Sequence, residues 1–180
     1  MVDSVAENLF GSNGELGAAG RPLFLHGKEG NIHGGKARWL RANYDAVTPA
    51  YDTASVESAL ETAEKVLELC RPSVVIGSSF GGAVLLSLVQ RGLWSGPSIF
   101  LAQAGVMYGM EPSLPDELPA ILVHGLLDDV VDIEGSRVLA ASNGSELIEI
   151  DDNHRLSTIR GSGLLSDALA SFGVRHLRRG

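Results

Sequence analysis

The sequence predicts an α/β protein, a three-layer αβα sandwich around a mostly parallel sheet of about six strands, and two observations carry that expectation. Short apolar runs, Ser73-Val74-Val75-Ile76-Gly77 above all, are hydrophobic on both faces, as strands covered by helices on each side must be. Between such runs lie segments with apolar residues at three- and four-residue steps. Val56, Ala59, Leu60, Ala63, Val66, Leu67 and Cys70 form the longest stripe, opposite Glu57, Glu61, Glu64 and Lys65. A chain of 180 residues suits one such domain.

The elements follow in order. Residues 1–20 hold four glycines and little periodicity, so they are expected to form a flexible arm, with a single domain over 21–180. Pro22 to Gly27 is an apolar run closed by glycine and predicts the first strand. A loop from Lys28 to Gly35 leads into a helix over Lys36–Asn43, and Asp45–Ala50 is expected as a second strand. Asp52 is placed to cap a helix over 53–69 through its carboxylate, and Arg71-Pro72 stops that helix. After the strand at 73–77, helices are expected at 82–90, near 133–141 and at about 163–172. Further strands are expected at 98–102, 120–124 and 146–150. Repeated β-α pairs imply right-handed crossovers, with loops at the carboxyl ends of the strands carrying the chemistry.

Composition narrows the function. The net charge of −8 disfavours nucleic acid and acidic membranes as partners, because both call for a basic face. Cys70 is the only cysteine, so no internal disulfide, Cys-based zinc site or redox pair is available; its apolar helical surroundings fit a packed thiol. No apolar run reaches the ~18 residues of a membrane span, and the first twenty residues lack a secretory pattern. A cytoplasmic protein without metal or cofactor is expected, acting on a small molecule as a monomer or homodimer.

Gly77-Ser78-Ser79-Phe80-Gly81 has the pattern Gly-x-Ser-x-Gly between a predicted strand and a predicted helix, the context in which a nucleophilic serine sits on a sharp turn. The pentapeptide alone is a weak signal in so glycine-rich a chain, where a packing or anion-binding turn is the competing reading. A serine hydroxyl needs a base, and the base needs an acid. Asp128 follows the strand at 120–124 and is the first candidate acid. Asp129 and Asp132 are alternatives, and the whole cluster also reads as a solvated loop. His154 follows the last strand as the candidate base, while Asp151 and Asp152 solvate its loop or help to position it. His26 and His124 each close a strand before glycine and read as structural hydrogen-bonding groups; His176 belongs to a basic tail.

On these stations the sequence resembles the α/β-hydrolase superfamily, in particular its small capless esterase-like members, from Leu23 to about Phe172. Phe24-Leu25-His26-Gly27-Lys28-Glu29-Gly30 is similar to the first strand and oxyanion loop, and Gly77 to Gly81 to the nucleophile elbow. His124-Gly125-Leu126-Leu127-Asp128 is similar to the acid turn, and Asp152-Asn153-His154-Arg155-Leu156 to the histidine loop. The resemblance implies a catalytic triad of Ser79, Asp128 and His154. It also implies an oxyanion hole from the backbone amides of Lys28 and Phe80, although Lys28 stands where relatives often carry an apolar residue. His33 in the oxyanion loop, and Met107 and Tyr108 in the short segment before residue 120, are candidate substrate contacts; the latter two, with Met110, read equally as packing. The expected function is hydrolysis of small or soluble carboxylic esters or thioesters through an acyl-enzyme on Ser79. A non-catalytic small-ligand-binding protein on the same fold is the alternative.

Overall fold

Leu23–Leu25 (β1), Val75–Ser78 (β2), Ser98–Leu101 (β3), Ala120–Gly125 (β4) and Glu146–Ile150 (β5) form one sheet, all parallel and ordered as they occur in the chain. The computed structural model describes residues 19–177; the expected arm, up to residue 18, lies outside them. Helices span Gly35–Tyr44 (α1), Val56–Cys70 (α2), Phe80–Gln90 (α3), Glu134–Asn143 (α4) and Leu164–Ser171 (α5). Among the described residues no helix is long and apolar enough to cross a membrane.

Sequential strand order has a direct consequence. Every crossover steps the same way along the sheet, so right-handed connections place α2, α3 and α4 on one face. The packing agrees. Ala59, Leu60 and Val66 of α2, Val84 and Leu88 of α3 and Leu139 of α4 share a core with Leu23, Leu25, Phe100 and Leu122. The opposite faces of the same strands, through Phe24, Ile76, Ile99 and Val123, meet Leu40 of α1 and Leu165 and Leu169 of α5. The expected three layers are therefore present, with a fully parallel sheet.

Two sequence expectations shift. Asp45–Ala50 is not a sixth strand: Val47 makes a single parallel bridge to Leu23, and Pro49, lacking an N–H, cannot extend the ladder. Asp52 does not cap α2. Its carboxylate accepts from Ala54 N–H at 2.9 Å, one turn early, and Ser55 takes the capping position, its Oγ accepting from Ser58 N–H at 3.1 Å.

Beyond β4 and β5 the backbone is locked. Leu126 N–H donates to Ile150 O at 2.8 Å and Leu127 N–H to Asp152 O at 3.0 Å. At Gly125 the chains approach so closely that a side chain would overlap the carbonyl of Asp152 and stand 3.0 Å from that of Asn153. Asp152, itself buried, accepts from Thr158 N–H at 2.9 Å, Thr158 Oγ1 at 2.7 Å and Asn153 N–H at 2.8 Å. Burial pushes its pKa up, but these bonds and nearby Lys36 outweigh burial and hold the carboxyl below the usual carboxylate range.

Gly125→Ala is expected to lower stability by about 1–3 kcal/mol in urea unfolding, because backbone, not a flexible side chain, must yield. The stabilisation from Asp152 is complete above about pH 4 and fades as pH falls through its lower folded-state value. Asp152→Asn should therefore cost most near neutrality, and its unfolding midpoint should approach the parent's as pH falls below the ordinary carboxylate range.

Candidate active site

The β2–α3 junction holds Ser79 in a conformation that side chains rarely adopt, φ 55° and ψ −115°. Two neighbours fix it there: Ser79 N–H donates to Leu101 O at 2.9 Å, and Ala104 N–H donates to Ser79 O at 3.2 Å. The turn closes only because residue 81 is glycine, since a Cβ there would overlap the Leu25 carbonyl and lie 2.7 Å from that of His26. The serine hydroxyl is thereby lifted above the carboxyl edge of the sheet.

His154 meets it from the loop after β5. Its Nε2 is 2.9 Å from Ser79 Oγ, and its Nδ1 is 2.8 Å from Asp128 Oδ2. The imidazole keeps 19% of its surface exposed while the Asp128 carboxylate keeps 1%, so the carboxylate is shielded and part of the ring meets solvent. Leu156, fully buried, anchors the loop's far end, and Lys36 Nζ donates to Arg155 O at 2.6 Å. Burial and the Arg160 guanidinium push the Lys36 ammonium down to about 8, against the pull of Asp152.

The acid cluster resolves into distinct tasks. Asp128 Oδ1 accepts from Val130 and Val131 N–H, both at 2.9 Å. Burial raises its pKa, but the bonds from Val131, His154 and Val130 prevail and leave it below the ordinary value, hence ionised. Asp129 is exposed, Asp132 bonds Glu134 N–H at 2.9 Å at the start of α4, and Asp151 is exposed beyond β5.

On the other side of Ser79 stands the loop after β1. A Cβ placed on Gly27 would be 3.3 Å from Ser79 Cβ, so the chain passes close to the serine just before Lys28, whose side chain is exposed. Phe80 opens α3, where an N–H has no partner in its own helix. The loop is buttressed from below: the His26 ring stacks on Tyr51 at 4.3 Å, Tyr51 Oη donates to His26 O at 2.5 Å, and His26 Nδ1 donates to Gly27 O at 2.9 Å. Burial drives the Tyr51 hydroxyl pKa upward, which keeps it a donor. Tyr51 is a support that the sequence did not single out, because its partner lies 25 residues away.

Of the candidate substrate contacts, Tyr108 sets its ring edge-on to Phe80 at 5.3 Å and is 38% exposed, and Met107 is 61% exposed. Both lie in the 3₁₀ turn Gly105–Tyr108. His33 is exposed between β1 and α1, its N–H bonded to Asn31 Oδ1. His124 is fully buried against the back of Asp128, Nε2 to Oδ2 3.1 Å. His176, at the other end of the chain, packs on Tyr44 at 4.4 Å, away from this site.

No family model and no curated protein matches the chain. Solved structures do. A Xanthomonas campestris pv. campestris protein given as a hydrolase of the alpha/beta superfamily superposes with a TM-score of 0.67 at 19% identity, over 84% of this chain and 95% of that one. Alpha/beta hydrolase domain-containing protein 10 from mouse gives 0.67 at 16% identity, over 86% and 90%. The esterase domain of a Rhodothermus marinus protein gives 0.60 at 18%, over 87% of each. At such identities the likeness speaks for architecture, and by architecture this chain has the α/β-hydrolase fold.

Proposed function

We propose that the protein is a serine hydrolase that cleaves small or soluble carboxylic esters or thioesters through an acyl-enzyme on Ser79. The observation that supports this most is the continuous line of bonds from Asp128 Oδ2 through His154 to Ser79 Oγ, at 2.8 and 2.9 Å. His154 Nε2 takes the hydroxyl proton as Ser79 Oγ bonds to the substrate carbonyl carbon. Charge moves onto the carbonyl oxygen, where the amides of Lys28 and Phe80 receive it; one such donor is worth about 3–4 kcal/mol. The imidazolium returns the proton to the departing alcohol or thiol, leaving the acyl group on Ser79. Water then repeats the sequence, with His154 as base, and releases the carboxylic acid. Asp128 stays ionised throughout and steadies the imidazolium.

The β3–β4 connection supports the small-substrate reading. Residues 102–119 contain only one short 3₁₀ turn, so no helical cap stands over Ser79 from that segment. The same turn exposes Val106, Met107 and Tyr108, and the acid loop exposes Leu126, Leu127 and Val130. The exposure of Met107 and the contact of Tyr108 with Phe80 support an apolar acyl group of modest length on that side of the serine, with His33 as a further candidate contact.

A fluorophosphonate probe should label Ser79 in the folded protein, and Ser79→Ala should lower kcat/KM on p-nitrophenyl esters by at least ~10³-fold. Equal rates for variant and parent overturn the mechanism. Asp128→Asn should cost ~10³- to 10⁴-fold and Asp129→Asn less than about twofold; the reverse ranking moves the acid by one residue. Met107→Ser should lower kcat/KM for butyrate or hexanoate esters several-fold while sparing acetate, since each buried methylene contributes about 0.8 kcal/mol. A uniform loss across chain lengths removes Met107 from the acyl site.

A further inference from the structure

Behind Asp128, on the side away from the serine, lies a second histidine that the reaction as written leaves idle. His124 is wholly buried at the end of β4. Its Nδ1 is 2.8 Å from Ser136 Oγ on α4; its Nε2 is 3.1 Å from Val131 O and 3.1 Å from Asp128 Oδ2. The proton positions follow by elimination. A carbonyl and an ionised carboxylate only accept, so Nε2 carries the hydrogen and Nδ1 accepts from the Ser136 hydroxyl. Burial pushes the His124 pKa down, keeping the ring neutral between these partners.

We propose that His124 is a positioning residue: its Nε2–H, donated to Val131 O and set 3.1 Å from Asp128 Oδ2, steadies the carboxylate oxygen on which His154 depends. The inference rests on the proposed triad. Asp128 has three hydrogen-bond donors, Val130 and Val131 on Oδ1 and His154 on Oδ2, and the His124 Nε2–H, donated to Val131 O, stands 3.1 Å from Oδ2 as a close electrostatic contact. A carboxylate so enclosed does not rotate. The contact at Oδ2 also draws charge away from His154 Nδ1–H, so the imidazolium is held firmly enough to form and loosely enough to give its proton back. The other charges facing His124 come from β5 and α4. Glu149 lies opposite it in the sheet and is gripped by Arg137 through bonds of 2.7 and 2.9 Å. Lys36 and Asp152 are engaged with the histidine loop instead, Lys36 Nζ on Arg155 O and the Asp152 carboxylate on Thr158.

Two substitutions separate positioning from packing. In His124→Asn the amide occupies the place of Nδ1 and keeps Ser136 but does not reach Asp128; in His124→Gln it reaches the place of Nε2. The Asn variant should lose about tenfold or more in kcat/KM. The acid limb of its pH–kcat/KM profile should move to higher pH, because Oδ2 without the His124 contact holds the imidazolium more tightly. The Gln variant should keep both close to the parent. A merely structural His124 lowers the unfolding midpoint in both and leaves the acid limb in place, and that result overturns the proposal. A readout independent of turnover is the proton resonance of His154 Nδ1–H, whose pH midpoint should move in the Asn variant and not in the Gln variant. If Ser79→Ala hydrolyses esters as the parent does, the triad reading fails, while this resonance still decides the role of His124. Should the Asn variant not fold, Ser136→Ala, which keeps the ring but releases it, should show the same upward movement at smaller amplitude; no movement there overturns the proposal.

Discussion

Adjacent strands of a sheet lie about 4.8 Å apart, and that spacing is the constraint the whole site answers to. Ser79 follows β2, Asp128 follows β4 and His154 follows β5, so the three groups start two and three strands apart, with β3 between them. They meet because β3 gets out of the way. Ala102 turns at φ 44° immediately after it, and Leu101 and Ala104 bind the two sides of the Ser79 backbone as the chain leaves. The histidine and acid loops can then lean back across the vacated edge, and the close approach of Gly125 to Asp152 keeps them together as they do so.

This arrangement makes the core and the site one object. Phe80, whose amide flanks the serine, is a fully buried core side chain. Leu156, two residues beyond His154, belongs to the opposite core. His124 and Asp128 are as well shielded as any leucine in the sheet. Buried polar groups of this kind must be fully partnered to be tolerated, and here they are, through Ser136, Val130, Val131 and His154. Apolar packing sets the distances, and the bonds set the orientations.

How much of this the sequence discloses depends on how local the determining contact is. The alternation of strands and helices, the strand-turn-helix around Ser79 and the chain order Ser79, Asp128, His154 are patterns within short windows, and they are legible. The choice of Asp128 over Asp129 is less so, because it turns on which carboxyl the backbone of Val130 and Val131 wraps; one faces inward and its neighbour faces solvent. Ser55 displaces Asp52 as cap by a register of three residues, because the Asp52 carboxylate is already taken by Ala54 N–H. His124 reads from the sequence as a hydrogen-bonding group but its partner does not: Ser136 reaches it only once α4 has packed on β4. Tyr51 beneath His26 is hidden for the same reason.

The sheet's two margins bear on self-association. At β1 the Val47 bridge covers part of the open ladder and Pro49 interrupts it, so a second chain finds few free amides there. At β5, which pairs with β4 alone among the described residues, Glu146 and Glu149 are exposed and the latter is clasped by Arg137. Stacking another copy onto either margin would set carboxylates against carboxylates or meet a proline. At these two margins the fold thus guards itself against growing into a continuous ribbon.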